Sequence, residues 1–469
     1  MTTGNTASFA GKRVTVMGLG RFGGGVAVTR WLAKQGAAVT VSDAASEEQL
    51  KDSISQLDDC IANGSVRLAL GSHKEQHFAE ADFVVANPAV PKPWENRFLG
   101  HARQHGVSVT TEIRLLAEII PDGVTTIGIT GSAGKSTTSA MIAHALRSQY
   151  KETAKAVWFG GNIGGSLLDD AARMKPGDVV VLELSSAMLY WLSGSSFDDG
   201  TAVSTEAEWR PDIGVLTSIA PNHIDWHGSL SHYVRSKSQI GHATQRVHAM
   251  DTPTTRECLA ACDRARYVSQ QDVDVVPVDL LHVPGEHNRA NAMLAATVVA
   301  GVTECGVSEA LQSLSYFSGL ADRLQRIDAP GGIVAYNDSK STTPEATVLA
   351  VQAVKQSHPD AMVHLIAGGY DKGVSLDAIA ALAIDGEIDE LYPIGTTGSV
   401  LADNVSCKDF GTLENAVSAA FEQMQPSDVL LLSPGCASWD QFDDYRQRGQ
   451  RFIELVQQRV PESANTLRA

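Results

Sequence analysis

The chain has 469 residues, 43% of them apolar and 19% charged, so it can bury sizeable cores and wholesale disorder is excluded. At about 150 residues per domain this length predicts three domains. Lys and Arg number 37 against 54 Asp and Glu, a net charge of −17, which argues against general nucleic-acid binding because phosphate contacts draw on Lys and Arg.

The first apolar run, VTVMGLG (14–20), reads as a strand leading into RFGGG and a helical stretch, VAVTRWLAKQG. AAVTVSD follows as a second strand ending at Asp43, which makes a βαβ unit. ADFVVANPAV (81–90) reads as a later strand with a Pro-containing loop, and VSVTTEIRLLAEII (107–120) as a last strand running into a helix near a domain boundary. A second strand, glycine loop and helix then appear as TTIGIT, GSAGKS and TTSAMIAHALRSQ. VVVLELSS (179–186) and IGVLTSI (213–219) have the apolar continuity of buried parallel strands. The helix NRANAMLAATVVAGVTE (288–304) is expected to close this second domain.

After SYFSGLADR the pattern restarts. GIVAYNDSK (332–340), MVHLIAGGYD (362–371), DELYPIG (389–395) and DVLLLSPG (428–435) read as strands, with a helix at TPEATVLAVQAVKQ (343–356). The alternation predicts an α/β chain with parallel sheets, whose functional groups sit in loops at the carboxyl ends of strands. The expected domains are 1–110, 111–317 and 318–469. No run reaches the roughly 20 apolar residues of a membrane span. The N-terminal MTTGNTASFAGKR lacks the order of a signal peptide. The cysteines, Cys60, Cys258, Cys262, Cys305, Cys407 and Cys436, form no CxxC pair, so the expectation is a reducing cytoplasm and no disulfide or zinc scaffold.

Two glycine loops carry the first chemical signal. Gly18-Leu19-Gly20-Arg21-Phe22-Gly23 lies between a strand and a helix, with Asp43 twenty residues beyond Gly23, and formally satisfies a dinucleotide fingerprint. That pattern specifies a diphosphate and a ribose. NAD or FAD, another nucleotide, and a structural turn all remain open at this point. The second loop, Gly128-Ile129-Thr130-Gly131-Ser132-Ala133-Gly134-Lys135-Ser136-Thr137, carries Ile129 where a strict Walker A has glycine. Its end is intact: backbone amides can wrap phosphate oxygens, Lys135 can neutralise them, and Ser136 can ligate Mg²⁺.

Glu183 ends one strand of the same domain, and His223 follows another in Pro-Asn-His-Ile-Asp. A carboxylate and a neutral imidazole there could hold a divalent metal beside a triphosphate, although either alone is more often structural. Lys237, read alone, is a solvated lysine. Asp338-Ser339-Lys340 and Ser433-Pro-Gly-Cys-Ala-Ser-Trp-Asp-Gln-Phe each follow a strand and read alone as turns with helix caps. Read together they suggest a further anion-binding loop pair.

The segments GITGSAGKSTT, GGNIG, LELSS, NHIDWH, GEHNRAN, NDSKSTT and SPGCASWDQFDDYRQRG occur in this order, and together they resemble the Mur ligases over nearly the whole chain. Within that family they are most similar to members that add D-glutamate to UDP-N-acetylmuramoyl-L-alanine, and the DNPR motif of the diamino-acid-adding relative is absent. The resemblance implies three domains: a Rossmann-like N-terminal domain, a central P-loop ATPase-like domain and a C-terminal Rossmann-like domain. It implies that the first loop serves a UDP-sugar through Gly18, Leu19, Gly20, Arg21, Phe22 and Asp43, together with Asn87, Pro88, Ala89 and Asn162. It assigns ATP to Gly131, Ser132, Ala133, Gly134, Lys135, Ser136, Thr137, Asn291, Arg323 and Asp338.

The resemblance further assigns one or two Mg²⁺ ions to Ser136, Glu183, His223 and Lys237, the lysine carbamylated. It places Lys340 with Lys135, Asn162, Glu183, His223 and Lys237 in the catalytic set, and assigns D-glutamate to Thr342, Lys372, Ser438 and Tyr445. Asn87-Pro88-Ala89 stands where the family often has Ser-Pro-Gly, and Tyr445 where some members have phenylalanine. The expected partners are small molecules only, with peptidoglycan precursors as the product class and a monomer as the working form. An oxidoreductase using NAD would leave the lysine loop unexplained, and a nucleotide switch would leave the last third idle. A different amide ligase, such as the L-alanine-adding or folylpolyglutamate-type enzyme, does not account for SPGCASWDQF.

Overall fold

Strands buried on both faces of a sheet should read as unbroken apolar runs, and VVVLE, VHLIAG and VLLL each form a strand with every residue buried. The computed structural model describes residues 9–20, 23–194, 208–277, 280–329 and 332–458. The chain divides into two compact units, Met1–Val273 with Met293–Ala310, and Asp274–Ala292 with Leu311–Ala469. The helix Glu286–Thr303, expected to close the middle domain, is split between them.

The first unit holds two parallel sheets. One is ordered β3-β2-β1-β4-β5, from β1 (Arg13–Met17), β2 (Ala38–Ser42), β3 (Val66–Ala69), β4 (Phe83–Ala86) and β5 (Ser108–Thr110). The chain reverses direction across this sheet between β1 and β4, where Val14 pairs with Val39 on one side and Phe83 on the other. Ligands bind at the strand carboxyl ends beside such a reversal. The other sheet is ordered β11-β10-β9-β6-β8-β7, from β6 (Thr125–Thr130), β7 (Val157–Gly161), β8 (Val179–Glu183), β9 (Ile213–Leu216), β10 (Arg246–Met250) and β11 (Ala265–Val268). The helix Glu112–Ile119 joins them. One apolar core runs from Val16 and Val41 through Ile113 and Leu116 to Leu182 and Val247.

The second unit carries a sheet ordered β12-β13-β16-β14-β15, from β12 (Gln325–Asp328), β13 (Val334–Asn337), β14 (Val363–Gly368), β15 (Glu390–Ile394) and β16 (Val429–Leu432). Alternate residues feed opposite cores: Val363, Leu365 and Leu431 pack with Val351 and Ile379, while Ile366, Leu430 and Leu432 pack with Val417 and Phe452. This sheet is not wholly parallel, since β12 pairs antiparallel with β13 through Gln325↔Asn337. The link between those two strands is too short for the crossover that parallel pairing needs. β3, β7, β10, β11 and β12 were not among the expected strands. Four of them are sheet edges, where half-exposed residues break the apolar run. Among the described residues no helix is long and apolar enough to cross a membrane.

His248 in β10 is 1% exposed, and among the described residues neither ring nitrogen has a hydrogen-bond partner. Burial, then the charges of Arg266 and Arg246, lowers its pKa to about 4. An unfolded histidine takes a proton near pH 6.5. The unfolded chain therefore binds more protons between pH 6.5 and 4, and stability falls as the pH drops through that window. His248→Leu should remove about 2 to 3 kcal/mol of the loss between pH 7 and 4.5, measured by denaturant unfolding. An unchanged pH slope in the variant would count against the buried neutral imidazole.

Candidate functional site

At the reversal between β1 and β4, Gly18 and Gly20 take φ of 90° and 65°, values that favour glycine, and Asn87 from the β4 loop donates through Nδ2 to the Gly18 carbonyl at 3.2 Å. The structure thus brings Gly18, Leu19, Gly20, Asp43 and Asn87 together, with Pro88 and Ala89 adjoining, while Arg21 and Phe22 lie outside the described residues. Asp43 is committed: Oδ2 accepts from the amides of Leu19 and Gly20 at 2.8 and 3.3 Å, and Oδ1 from Ala45 at 2.9 Å. It holds the loop in shape. The glycine that permits close helix–strand packing is Gly25, whose added Cβ would lie 2.2 Å from the Leu19 carbonyl, whereas one on Gly23 would meet nothing within 4 Å. The third glycine of the fingerprint is therefore displaced by two residues.

The second glycine loop leaves β6 at Thr130. Gly131 has φ 151°, and a Cβ there would lie 1.9 Å from Thr217 Oγ1. The turn after β9 clamps the loop: the Ser132 amide donates to Ser218 O at 2.8 Å, and the Ala133 amide to Ser218 Oγ at 2.9 Å. Ser132 Oγ donates to Ala220 O at 2.9 Å. Gly134, at φ 81°, is the N-cap of the helix Lys135–Gln149, with no side chain capping its first amides and no acidic residue in its first turn. An anion is favoured at such a terminus by the free amides and the helix dipole. Lys135 lies over the loop, its Nζ 3.3 Å from Ser132 O, and Ser136 and Thr137 are partly exposed beside it.

Glu183 ends β8 one strand away, 1% exposed. Its Oε1 accepts from Asn162 Nδ2 at 2.7 Å, while Oε2 is buried with no hydrogen-bond partner among the described residues. The GGNIG turn wraps this strand end so closely that a Cβ on Gly161 would lie 2.4 Å from Glu183 O. Lys237 is 2% exposed, which overturns the reading of it as a solvated lysine. Its Nζ donates to Thr130 Oγ1 at 3.1 Å and Gly131 O at 2.8 Å, under the phosphate loop. Burial first, then the charge of Lys135, holds its pKa well below the ordinary lysine value, with Glu183 opposing. His223, exposed and in the left-handed region at φ 51°, is the N-cap of the short helix Ile224–His227. Partial desolvation, then Lys237, lowers its pKa, which favours the neutral imidazole that can ligate a metal.

Among the described residues no three His, Cys, Asp or Glu side chains gather at metal-binding distance. Mg²⁺ does not require them: it keeps several waters and takes one or two carboxylates plus phosphate oxygens. The orphaned Glu183 Oε2, buried beside the phosphate loop, fits that demand.

In the second unit the site residues again lie at the ends of the central strands β13, β16 and β14. Asp338 is 5% exposed; it accepts from Leu324 N at 3.1 Å and Ser433 Oγ at 2.8 Å, and burial pushes its pKa up to about 6. Arg323 is exposed on the connector preceding β12, and its charge opposes that rise. Asn291 is buried on its helix, with Nδ2 3.3 Å from Asn288 Oδ1. Thr342 and Lys372 line a cavity of about 110 Å³ with Tyr370, Thr397, Gly435 and Cys436. Ser438, 2% exposed, and Tyr445 do not line it; Tyr445 lies under Lys340, with Nζ 5.5 Å from the ring centre.

Sequence reasoning missed Arg448, 1% exposed. Its guanidinium donates to Ser339 Oγ at 2.9 Å and to the carbonyls of Ser339, Cys436 and Ala437 at 2.9, 3.1 and 3.2 Å. It fixes the β13 and β16 loops to each other. Its sequence signal was its place in SPGCASWDQFDDYRQRG, a segment that carries the family resemblance but, read locally, gives Arg448 no role beyond a solvated helix face.

Three family models match in order: the Mur ligase MurD-like N-terminal domain at residues 12–111, the Mur ligase middle domain at 129–267, and the Mur ligase glutamate ligase domain at 322–436. The chain belongs to the Mur ligase family and is a ligase. Among its curated relatives is the UDP-N-acetylmuramoylalanine--D-glutamate ligase of Koribacter versatilis, 33% identical, covering 95% of this chain and 97% of that one. The enzyme of the same name from Roseiflexus sp. is 32% identical, covering 96% and 99%. Among solved structures, MurF from Acinetobacter baumannii matches with a TM-score of 0.52 at 17% identity, covering 76% of this chain and 87% of that one, a likeness of fold.

Gly131→Ala should weaken ATP binding at least tenfold, because the new methyl must displace Thr217 or the loop it clamps. Nucleotide titration would measure this, with far-UV circular dichroism reporting the retained sheets. ATP binding at wild-type strength would show that the clamp is not needed to shape the loop.

Proposed function

We propose that the chain joins D-glutamate to the L-alanyl carboxyl of UDP-N-acetylmuramoyl-L-alanine, consuming ATP, in the synthesis of peptidoglycan precursors. The observation that carries this reading is the phosphate loop with its uncapped helix terminus, flanked by the half-satisfied Glu183 carboxylate and underlain by the buried Lys237 amine. The names of the curated relatives supply the substrate class. The division into functional regions 1–110, 111–317 and 318–469, a cytoplasmic monomer, and small molecules as the partners belong to the same proposal. Cytoplasmic action is supported by the need for ATP.

A carboxylate does not acylate an amine at neutral pH, because oxide is too poor a leaving group. The L-alanyl carboxylate attacks the γ-phosphorus of ATP, ADP leaves, and an acyl phosphate results. The D-glutamate amine then attacks the acyl carbon, and the tetrahedral adduct collapses to the amide and phosphate. The protein's work is positioning and charge neutralisation. Gly131–Thr137 hold the triphosphate, through the amides at the start of the helix Lys135–Gln149 and the Lys135 ammonium, while the Ser218 clamp on the Ser132 and Ala133 amides keeps the loop in shape. Gly18–Gly20 and Asn87–Ala89 hold the UDP end, and Asn162 orients Glu183. Asp338, Arg323 and Asn291 serve the nucleotide. Thr342, Lys372 and Ser438 offer hydroxyls and a cation to the two D-glutamate carboxylates, with Lys340 and Tyr445 adjoining. Glu183, Ser136, His223 and carbamylated Lys237 would hold one or two Mg²⁺ ions, which supply Lewis-acid neutralisation of phosphate charge. The depressed pKa of Lys237 favours the neutral amine, the form that can take up CO₂.

Phosphate release should require ATP, UDP-N-acetylmuramoyl-L-alanine and D-glutamate together, with L-glutamate used at least tenfold less well. Lys135→Ala should lose activity by about a hundredfold or more. Lys237→Ala should lose most activity, and short carboxylic acids should restore part of it by replacing the carbamate. Equal use of D- and L-glutamate would refute the D-glutamate assignment, and full activity of Lys237→Ala would remove the carbamate from the site. UDP, and not NADH, should raise the melting temperature; the reverse would return the first loop to dinucleotide binding.

A further inference from the structure

The short helix Ile224–His227 follows His223 and carries two adjacent buried side chains, Trp226 and His227, 7% and 2% exposed. They reach in different directions. His227 Nε2 is 2.8 Å from Ser186 Oγ, three residues beyond Glu183, and its Nδ1 is 2.8 Å from His232 Nδ1 on the helix Leu230–Ser238 that bears Lys237. These bonds stay within the half of the unit that holds the phosphate loop. Trp226 crosses to the other half. Its indole Nε1 donates to Pro88 O at 3.0 Å, and its carbonyl accepts from the Lys92 amide at 3.2 Å.

Both partners belong to the loop after β4 that meets the first glycine loop through Asn87. The indole itself is packed edge-on against Trp94 and Tyr190, with ring centres 5.7 and 5.6 Å away, in a cluster that includes Met17 and Ala86, the last residues of β1 and β4. An indole N–H bound to a carbonyl in such apolar surroundings fixes the ring's direction as well as its place, because leaving either group unpaired there is costly. The turn at His223 is a left-handed, non-glycine conformation, which persists only where its surroundings hold it.

We propose that Trp226 is a positioning residue that registers the loop Asn87–Pro88–Ala89 to the His223 turn, so that binding of the UDP end sets the turn from which His223 projects. This rests on the reading of the first glycine loop as the UDP site. Trp226 touches no reacting atom and acts through Pro88 and the Lys92 amide. The amides of His227 and Gly228, bound to His223 O and Ile224 O at 2.9 and 2.7 Å, report whether the turn is closed.

Two measurements test this. Trp226→Phe keeps an aromatic ring and removes the N–H, and should raise the KM for UDP-N-acetylmuramoyl-L-alanine about tenfold while leaving those for ATP and D-glutamate within about twofold. Trp94→Phe, which alters the same cluster without that bond, should leave the KM for the UDP substrate unchanged. A lower kcat with all three KM values unchanged would mark Trp226 as structural only and overturn the proposal. The second measurement uses the wild-type chain and does not depend on a variant folding. UDP alone should slow hydrogen exchange over residues 224–228 as well as at the loop 87–92 and the glycine loop. Protection confined to the two loops overturns the coupling and leaves the proposed activity standing. No protection at the glycine loop overturns the UDP reading and the coupling with it.

Discussion

An ammonium buried beneath an anion-binding loop is costly unless it is paired or gives up its proton. Lys237 is placed there by the helix Leu230–Ser238, with Thr130 Oγ1 and Gly131 O as its hydrogen-bond acceptors. The loop conformation that offers the Gly131 carbonyl needs φ 151° and no Cβ, because Thr217 fills that space. Thr217 and Ser218 in turn hold the Ala133 peptide, and the loop passes directly into the uncapped helix that begins at Lys135. The amine, the glycine, the clamp and the helix terminus therefore form one mechanical unit, in which the same backbone that caps Lys237 presents amides to phosphate. Burial, then the charge of Lys135, lowers the lysine pKa, and its acceptors Thr130 Oγ1 and Gly131 O are neutral.

The two glycine loops show how far similar patterns diverge in use. Both follow the central strand of a parallel sheet and precede a helix, where the dipole and free amides favour an anion. In the first, Asp43 spends its carboxylate on the Leu19, Gly20 and Ala45 amides, and the close-packing glycine is Gly25. That aspartate shapes the loop, and with one amide on Oδ1 and two on Oδ2 it keeps capacity for a further hydrogen bond. In the second, the clamp comes from another strand end and the lysine remains above the loop.

The second unit builds its site with a different device. Arg448 is buried and, among the described residues, has no carboxylate partner; it places its donors on Ser339 and on the carbonyls of Cys436 and Ala437. A guanidinium keeps its charge even though burial lowers its pKa to about 10, so it stays a donor to several carbonyls at once. Gly449, next in the chain, admits Asp322 so closely that a Cβ would lie 1.8 Å from its Oδ1. Asp338, which begins the β13 loop and accepts from Ser433 of the β16 loop, has its pKa raised by burial to about 6.

The sequence by itself determined the α/β class, the central strands of all three sheets and the two glycine loops, because buried parallel strands and tight phosphate turns leave apolar runs and glycines that survive without context. The ordered segments from GITGSAGKSTT to SPGCASWDQF likewise carried the family. It did not reveal four of the six edge strands, β3, β7, β11 and β12, whose burial is partial, nor the interior β10, nor that β12 runs antiparallel, a direction set by a short connection. Tertiary structure alone decided that Lys237 is buried, that Asp43 is a loop clamp and that Arg448 joins two loops. It alone joined Trp226 to Pro88, 138 positions away in the chain. A lysine, aspartate, arginine or tryptophan has the same local signature whether solvated or enclosed, and only the packing of distant elements fixes its partners.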